Sequence, residues 1–140
     1  MILFSPGERR PTHKELSAKL WEARNLTQGG RWLPARVEKL DANFRELEEE
    51  FDVETTLPED KVGIVLAVLA EIRPDDYVGD RPPQRSYEQA TRTQELFEFQ
   101  WTSGHFSDAV MYFKFSICGT GEYKKLYIYS LHRNREESQE

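Results

Sequence analysis

The sequence predicts an α+β fold, with about three N-terminal helices packed on one face of a small C-terminal antiparallel sheet. Three observations carry this. Apolar residues recur at spacings of three and four up to about residue 73. From Leu96 onward the period is two. Between these halves lies a stretch rich in proline and arginine that suits neither element. The 140 residues fit one domain (1–140), and 38% hydrophobic content with 12% aromatics is enough to build a core.

The first helix starts at a T-x-x-E pattern, Thr12 and Glu15. There a hydroxyl and a carboxylate can satisfy each other's backbone N–H groups. Leu16, Leu20 and Ala23 share a face, and Gly29-Gly30 stops a helix expected to run to about Asn25. A second helix is expected from about Pro34, read as a first-turn proline, to about Glu50. Val37, Leu40, Phe44, Leu47 and Phe51 form its apolar face, and the run RELEEE its solvated one. Pro58 opens the third helix, PEDKVGIVLAVLAEI, with Glu59 and Asp60 near its positive end. It is apolar nearly all round and is expected to be the central buried helix, ended by Arg73-Pro74.

Residues 74–93 read as a loop, because Pro82-Pro83 forbid a regular helix. Arg81, Arg85 and Arg92 lie in or beside it. It is either a plain surface connection or an arginine-bearing loop over a site. Three strands follow across residues 96–133: LFEFQW (96–101), VMYFKFSI (110–117) and LYIYSLHR (126–133). The turns TSGHFSD and GTGEYKK join them, and the polar residues 134–140 are expected to fray. In the last strand Tyr127, Tyr129 and Leu131 are expected to face the helices, opposite Ile128, Ser130 and His132.

With the apolar parities turned to the helices, the others align on one open face. That face carries Glu98 and Gln100, Tyr112 and Lys114, and Ser130 and His132. A carboxylate, a phenol, an ammonium and an imidazole are the groups a metal-free ribonuclease needs. It must take a proton from a 2′-OH, stabilise charge on phosphoryl oxygens and protonate a leaving 5′-oxygen. Glu98 or His132 can serve as base or acid. Lys114, Arg133 and a loop arginine can hold the phosphate, and Tyr112 can stack, orient or relay a proton. The plainer reading is that lysine and tyrosine alternate there for solubility and cross-strand packing.

The formal net charge of −6 argues against nonspecific nucleic-acid binding. The acidic excess lies within residues 1–80, however, and residues 81–140 are balanced. Cys118 is the only cysteine, which suits a reducing cytoplasm, and MILFSPGERRP has too short an apolar run for a signal peptide. No stretch is long enough for a membrane helix. Neither phosphate-binding glycine loop occurs, and three scattered histidines with one cysteine give no zinc spacing, so no metal or cofactor is expected. His13 reads as local structure at the first cap, and His105, in the hairpin turn, as a weaker site candidate.

Order and motif resemble the motility quorum-sensing regulator toxins of the RelE-like messenger-RNA interferases. RPTHKELSAKLWEARNL is similar to their opening segment, and KVGIVLAVLAEIRPDDYVG to their apolar helix and acidic-aromatic turn. LFEFQW, VMYFKFSI and LYIYSLHRN are similar to their sheet strands, over about residues 10–135 in all. The resemblance implies helices on a small antiparallel sheet, cleavage of RNA without metal, and neutralisation by a partner antitoxin. It puts the family's catalytic tyrosine on Tyr112, its terminal basic residue on His132 and its strand glutamine on Glu98. The family's lysine after the acidic-aromatic turn has no counterpart near Val78-Gly79, where Arg81 is the substitute at hand. Lys114, Arg81, Arg85, Arg133 and Gln100 complete the expected catalytic and phosphate-binding set. Two function classes follow: a toxin-like endoribonuclease, monomeric or bound to its antitoxin, or a catalytically silent binding module acting through a protein partner.

Overall fold

The computed structural model describes residues 11–88 and 91–134. Among them are three helices, α1 (His13–Gln28), α2 (Val37–Phe51) and α3 (Pro58–Glu71). The strands are β1 (Trp32–Pro34), β2 (Phe97–Ser103), β3 (Ala109–Cys118) and β4 (Lys125–Arg133). The sheet order is β1-β4-β3-β2, with β2, β3 and β4 antiparallel. The fold is α+β, with the helices N-terminal and the long strands C-terminal. The expected frayed tail lies, apart from Asn134, outside the described residues.

The Thr12 box forms as expected. Glu15 N–H donates to the Thr12 hydroxyl (3.1 Å) and Thr12 N–H to the Glu15 carboxylate (2.8 Å). α1 runs one turn past Asn25 before Gly29 caps it. Pro34 does not open α2. It ends β1, a short strand parallel to β4, and Ala35 N–H continues the ladder to the Ile128 carbonyl (2.9 Å). Three residues are too few for an alternating pattern, so period alone could not reveal β1. As α2 then starts at Val37, that side chain is 55% exposed rather than part of the apolar face.

α2 closes the edge that β1 leaves open. Its buried Asn43 accepts a hydrogen bond from Leu131 N–H (2.9 Å), satisfying a strand donor beyond β1. α3 is not the central buried helix. It packs beside α1, buries Ile64, Val65, Val68 and Leu69, and leaves Val62, Leu66 and Ala67 half-buried with Ala70 exposed. Arg24 of α1 donates to the Leu69 carbonyl (3.0 Å) across this contact.

One apolar core joins the helices to Phe97, Phe99, Trp101, Phe113, Phe115 and the inner residues of β4. Those inner residues are Leu126, Ile128 and Leu131, not the expected Tyr127, Tyr129 and Leu131. The cause is an irregularity in the pairing. Lys114 faces Ser130 but Phe115 faces Ile128, which leaves Tyr129 as an extra residue, a β-bulge. The bulge resets the alternation, so Leu131 and Ile128 can both point inward. At the far end of the β3–β4 hairpin, Gly119 adopts φ +91, and a Cβ there would lie 2.6 Å from the Tyr123 carbonyl oxygen. Only glycine suits that turn.

The 74–93 segment is tied down along β2. A 3₁₀ turn spans Pro74–Asp76, Val78 N–H donates to the Glu98 carbonyl (2.9 Å), and Leu96 N–H to the Gln84 carbonyl (2.8 Å). No helix among the described residues is long and apolar enough to cross a membrane.

Candidate functional site on the open sheet face

β3 supplies the centre of the face turned away from the helices. Tyr112 sits directly between Gln100 of β2 and His132 of β4, and Lys114 between Glu98 and Ser130. These are two adjacent rows on one surface, because side chains two apart on a strand share a face. Glu98, Gln100, Tyr112, Lys114 and His132 are all half-buried, while Ser130 is buried.

The contacts within the rows are specific. The Tyr112 hydroxyl donates diagonally to Glu98 Oε1 at 2.5 Å. The Tyr112 and His132 rings stack with centroids 5.3 Å apart and planes at 28°. His132 Nδ1 lies 2.8 Å from the Arg133 carbonyl oxygen. Burial, the hydrogen bond to Glu98 and the charge of Glu98 together push the Tyr112 phenol far above the ordinary tyrosine range. Tyr112 is therefore a proton-bearing donor across the physiological range, not a phenolate.

Lys114 faces Glu98 in register, yet the two make no ion pair. Its Nζ stands 5.6 Å from the centroid of the Tyr129 ring. Among the described residues it has no carboxylate within ion-pair distance. The bulge puts Tyr129 on this face, and a cluster of hydroxyls fixes it. The Tyr129 hydroxyl donates to Ser86 Oγ (2.8 Å), meets Thr91 Oγ1 and lies 3.5 Å from Ser116 Oγ. Ser86 and Thr91 are themselves 2.8 Å apart. The loop thus covers the Ser116–Tyr129 end of the face, beside the half-buried rows. Sequence reasoning missed Tyr129 because strict alternation placed it in the core; only the bulge reveals it.

The arginines do not join the rows. Arg133 extends to the helix side, where its Nη1 lies 3.6 Å from Glu50 Oε2. Its register partner Met111 belongs to the core, so Arg133 has the wrong parity for the open face. Arg81 stacks over the Tyr77 ring (5.1 Å) and donates to the Pro11 carbonyl at the start of α1. Arg85 pairs with Glu95 in an isolated bridge and donates to the Thr93 carbonyl (2.8 Å).

His105, the weaker candidate, lies in the β2–β3 turn, where its backbone N–H donates to Glu71 (2.9 Å) and its ring meets Phe106 edge-on. His13 lies at the start of α1, as its place beside the cap implied. Among the described residues no group of three or more His, Cys, Asp or Glu side chains is assembled for a metal ion. No family model matches the chain, and no curated protein and no solved structure matches it either.

Proposed function

We propose that the open sheet face cleaves RNA by attack of a 2′-OH on the adjacent phosphorus, without a bound metal. The observation that carries this is the Glu98–Tyr112–His132 chain, with the Lys114 ammonium one row away and in no ion pair among the described residues. Glu98 and His132 divide the base and acid roles. The base takes the 2′-oxygen's proton as the O2′–P bond forms. The acid gives its proton to the 5′-oxygen as the P–O5′ bond breaks, leaving a 2′,3′-cyclic phosphate and a 5′-hydroxyl. Lys114 offsets the charge developing on the phosphoryl oxygens. The protonated Tyr112 phenol donates a hydrogen bond and holds Glu98 in place. This is the chemistry implied by the likeness to the RelE-like interferases, and with it come a cytoplasmic site of action and a neutralising antitoxin.

A second reading has its own observation. Arg81, the substitute for the family's missing lysine, is engaged on the helix side with Tyr77 and Pro11. A chain lacking that charge at the face keeps the fold and works as a binding module through a protein partner. Induced expression separates the two. The ribonuclease reading expects growth arrest that Tyr112→Phe combined with His132→Ala relieves. Absence of arrest, or arrest unchanged in the double variant, supports the binding module.

A further inference from the structure

We propose that the outer stripe of α1, centred on Trp21, docks an acidic amphipathic segment of a partner protein. Trp21 is 65% exposed, although an indole of this size ordinarily finds cover. Ser17 and Ala18, one turn before it, are small and leave its N-terminal flank open. A shallow, wide-open depression of about 490 Å³ results, which His13 and Lys14 also line. On the other flank a second hollow of about 480 Å³ runs past Leu26 and Gly29 to Arg31 and Lys124. The indole thus stands as a ridge between two recesses along one helix face.

The charge around it is opposite to that of the chain. Among the described residues, neither Lys14 nor Arg31 has a carboxylate within ion-pair distance. Glu22, the one acid lining these hollows, is shared by Lys19 and Lys124. An apolar anchor flanked by uncompensated cations on both sides complements a segment with an apolar residue between acidic ones. Tryptophan at the centre of a patch is among the residue types that dominate binding energy at interfaces. A short segment with an apolar side chain between acids can cover the indole and meet Lys14 and Arg31 together, which a phosphate backbone alone does not do. This surface lies on the helix side, away from the Tyr112 face, and its role does not depend on RNA cleavage.

The test pans the full chain against displayed random short peptides and measures the enriched peptides by fluorescence anisotropy. Acidic sequences with an aromatic or aliphatic anchor are expected. Their affinity should fall about tenfold or more in Trp21→Ala and also fall in Arg31→Glu, with unchanged thermal midpoints in both variants. Oligouridylate is titrated in parallel and should neither quench the part of the tryptophan emission that Trp21→Ala removes nor displace the peptides. Enrichment of peptides without acidic character overturns the proposal, as does undiminished binding to Trp21→Ala. Quenching by oligouridylate with no peptide binding overturns it in favour of a nucleic-acid surface.

Discussion

Tyr112 and Tyr129 occupy the same sheet face and do different things there. Tyr112 donates a hydrogen bond to Glu98; Tyr129 anchors a loop and carries Lys114 over its ring. Tyr129→Phe keeps the ring but removes the hydroxyl from Ser86, Thr91 and Ser116. Denaturant unfolding should show a loss of about 1–3 kcal/mol, the usual cost of leaving buried polar partners unmatched. Lys114 should hold its position, so RNA cleavage should survive better in Tyr129→Phe than in Tyr129→Leu, which removes the ring. Tyrosine also sets the alkaline limit of stability. Burial pushes the Tyr77 phenol up to about 12, helped by the charge of Glu98, and Tyr112 is raised further. A phenol whose folded pKa is raised contributes stability that is complete below the unfolded value near ~10 and is lost as pH rises through the folded value. Tyr77→Phe should therefore flatten stability against pH between about 10 and 12, read by chemical denaturation across that range.

The joint between α3 and the β2–β3 hairpin rests on one carboxylate. Glu71, at the end of α3, accepts from Trp101 Nε1 (2.9 Å), Ser103 Oγ (2.6 Å) and His105 N–H (2.9 Å). Burial works against its charge, but these hydrogen bonds and the His105 charge outweigh it and hold the carboxyl below its ordinary value. A depressed carboxyl contributes stability present above the unfolded pKa and lost as pH falls through the folded one. Acid unfolding of the wild type should steepen below about 4.5, the unfolded value. Glu71→Gln should be less stable at neutral pH with a flatter acid limb. An unchanged acid limb would show that other carboxylates govern it. The hairpin orders β2, so this element also sets where Glu98 lies.

Across the whole molecule, the parts legible in the sequence were those with a long period or a strong local signal. The Thr12 box, the Pro58 start of α3, the alternation of β2 and β3 and the shared Glu98, Gln100, Tyr112, Lys114 and His132 face all have such signals. What escaped had none. β1 is too short to show a period, and Pro34 fits a strand end as well as a helix start. The Tyr129 bulge depends on pairing across two strands, which one strand's pattern does not encode. α3 reads as central from composition, yet burial depends on what packs against it, and Val62, Leu66 and Ala67 are only half-buried with Ala70 exposed. Sequence distance does not tell where a long arginine side chain reaches: tertiary contacts turn Arg81 of the loop and Arg133 at the end of β4 to the helix side.

RNA cleavage by the purified chain in the presence of a metal chelator decides whether this face is an active site. The wild type should cut single-stranded RNA and leave 2′,3′-cyclic phosphate and 5′-hydroxyl ends. His132→Ala and Glu98→Gln should each slow the reaction by about 10²-fold or more, as expected for loss of a general acid or base. No cutting by the wild type, or cutting at wild-type rate by both variants, would mean that the Tyr112 face is not catalytic.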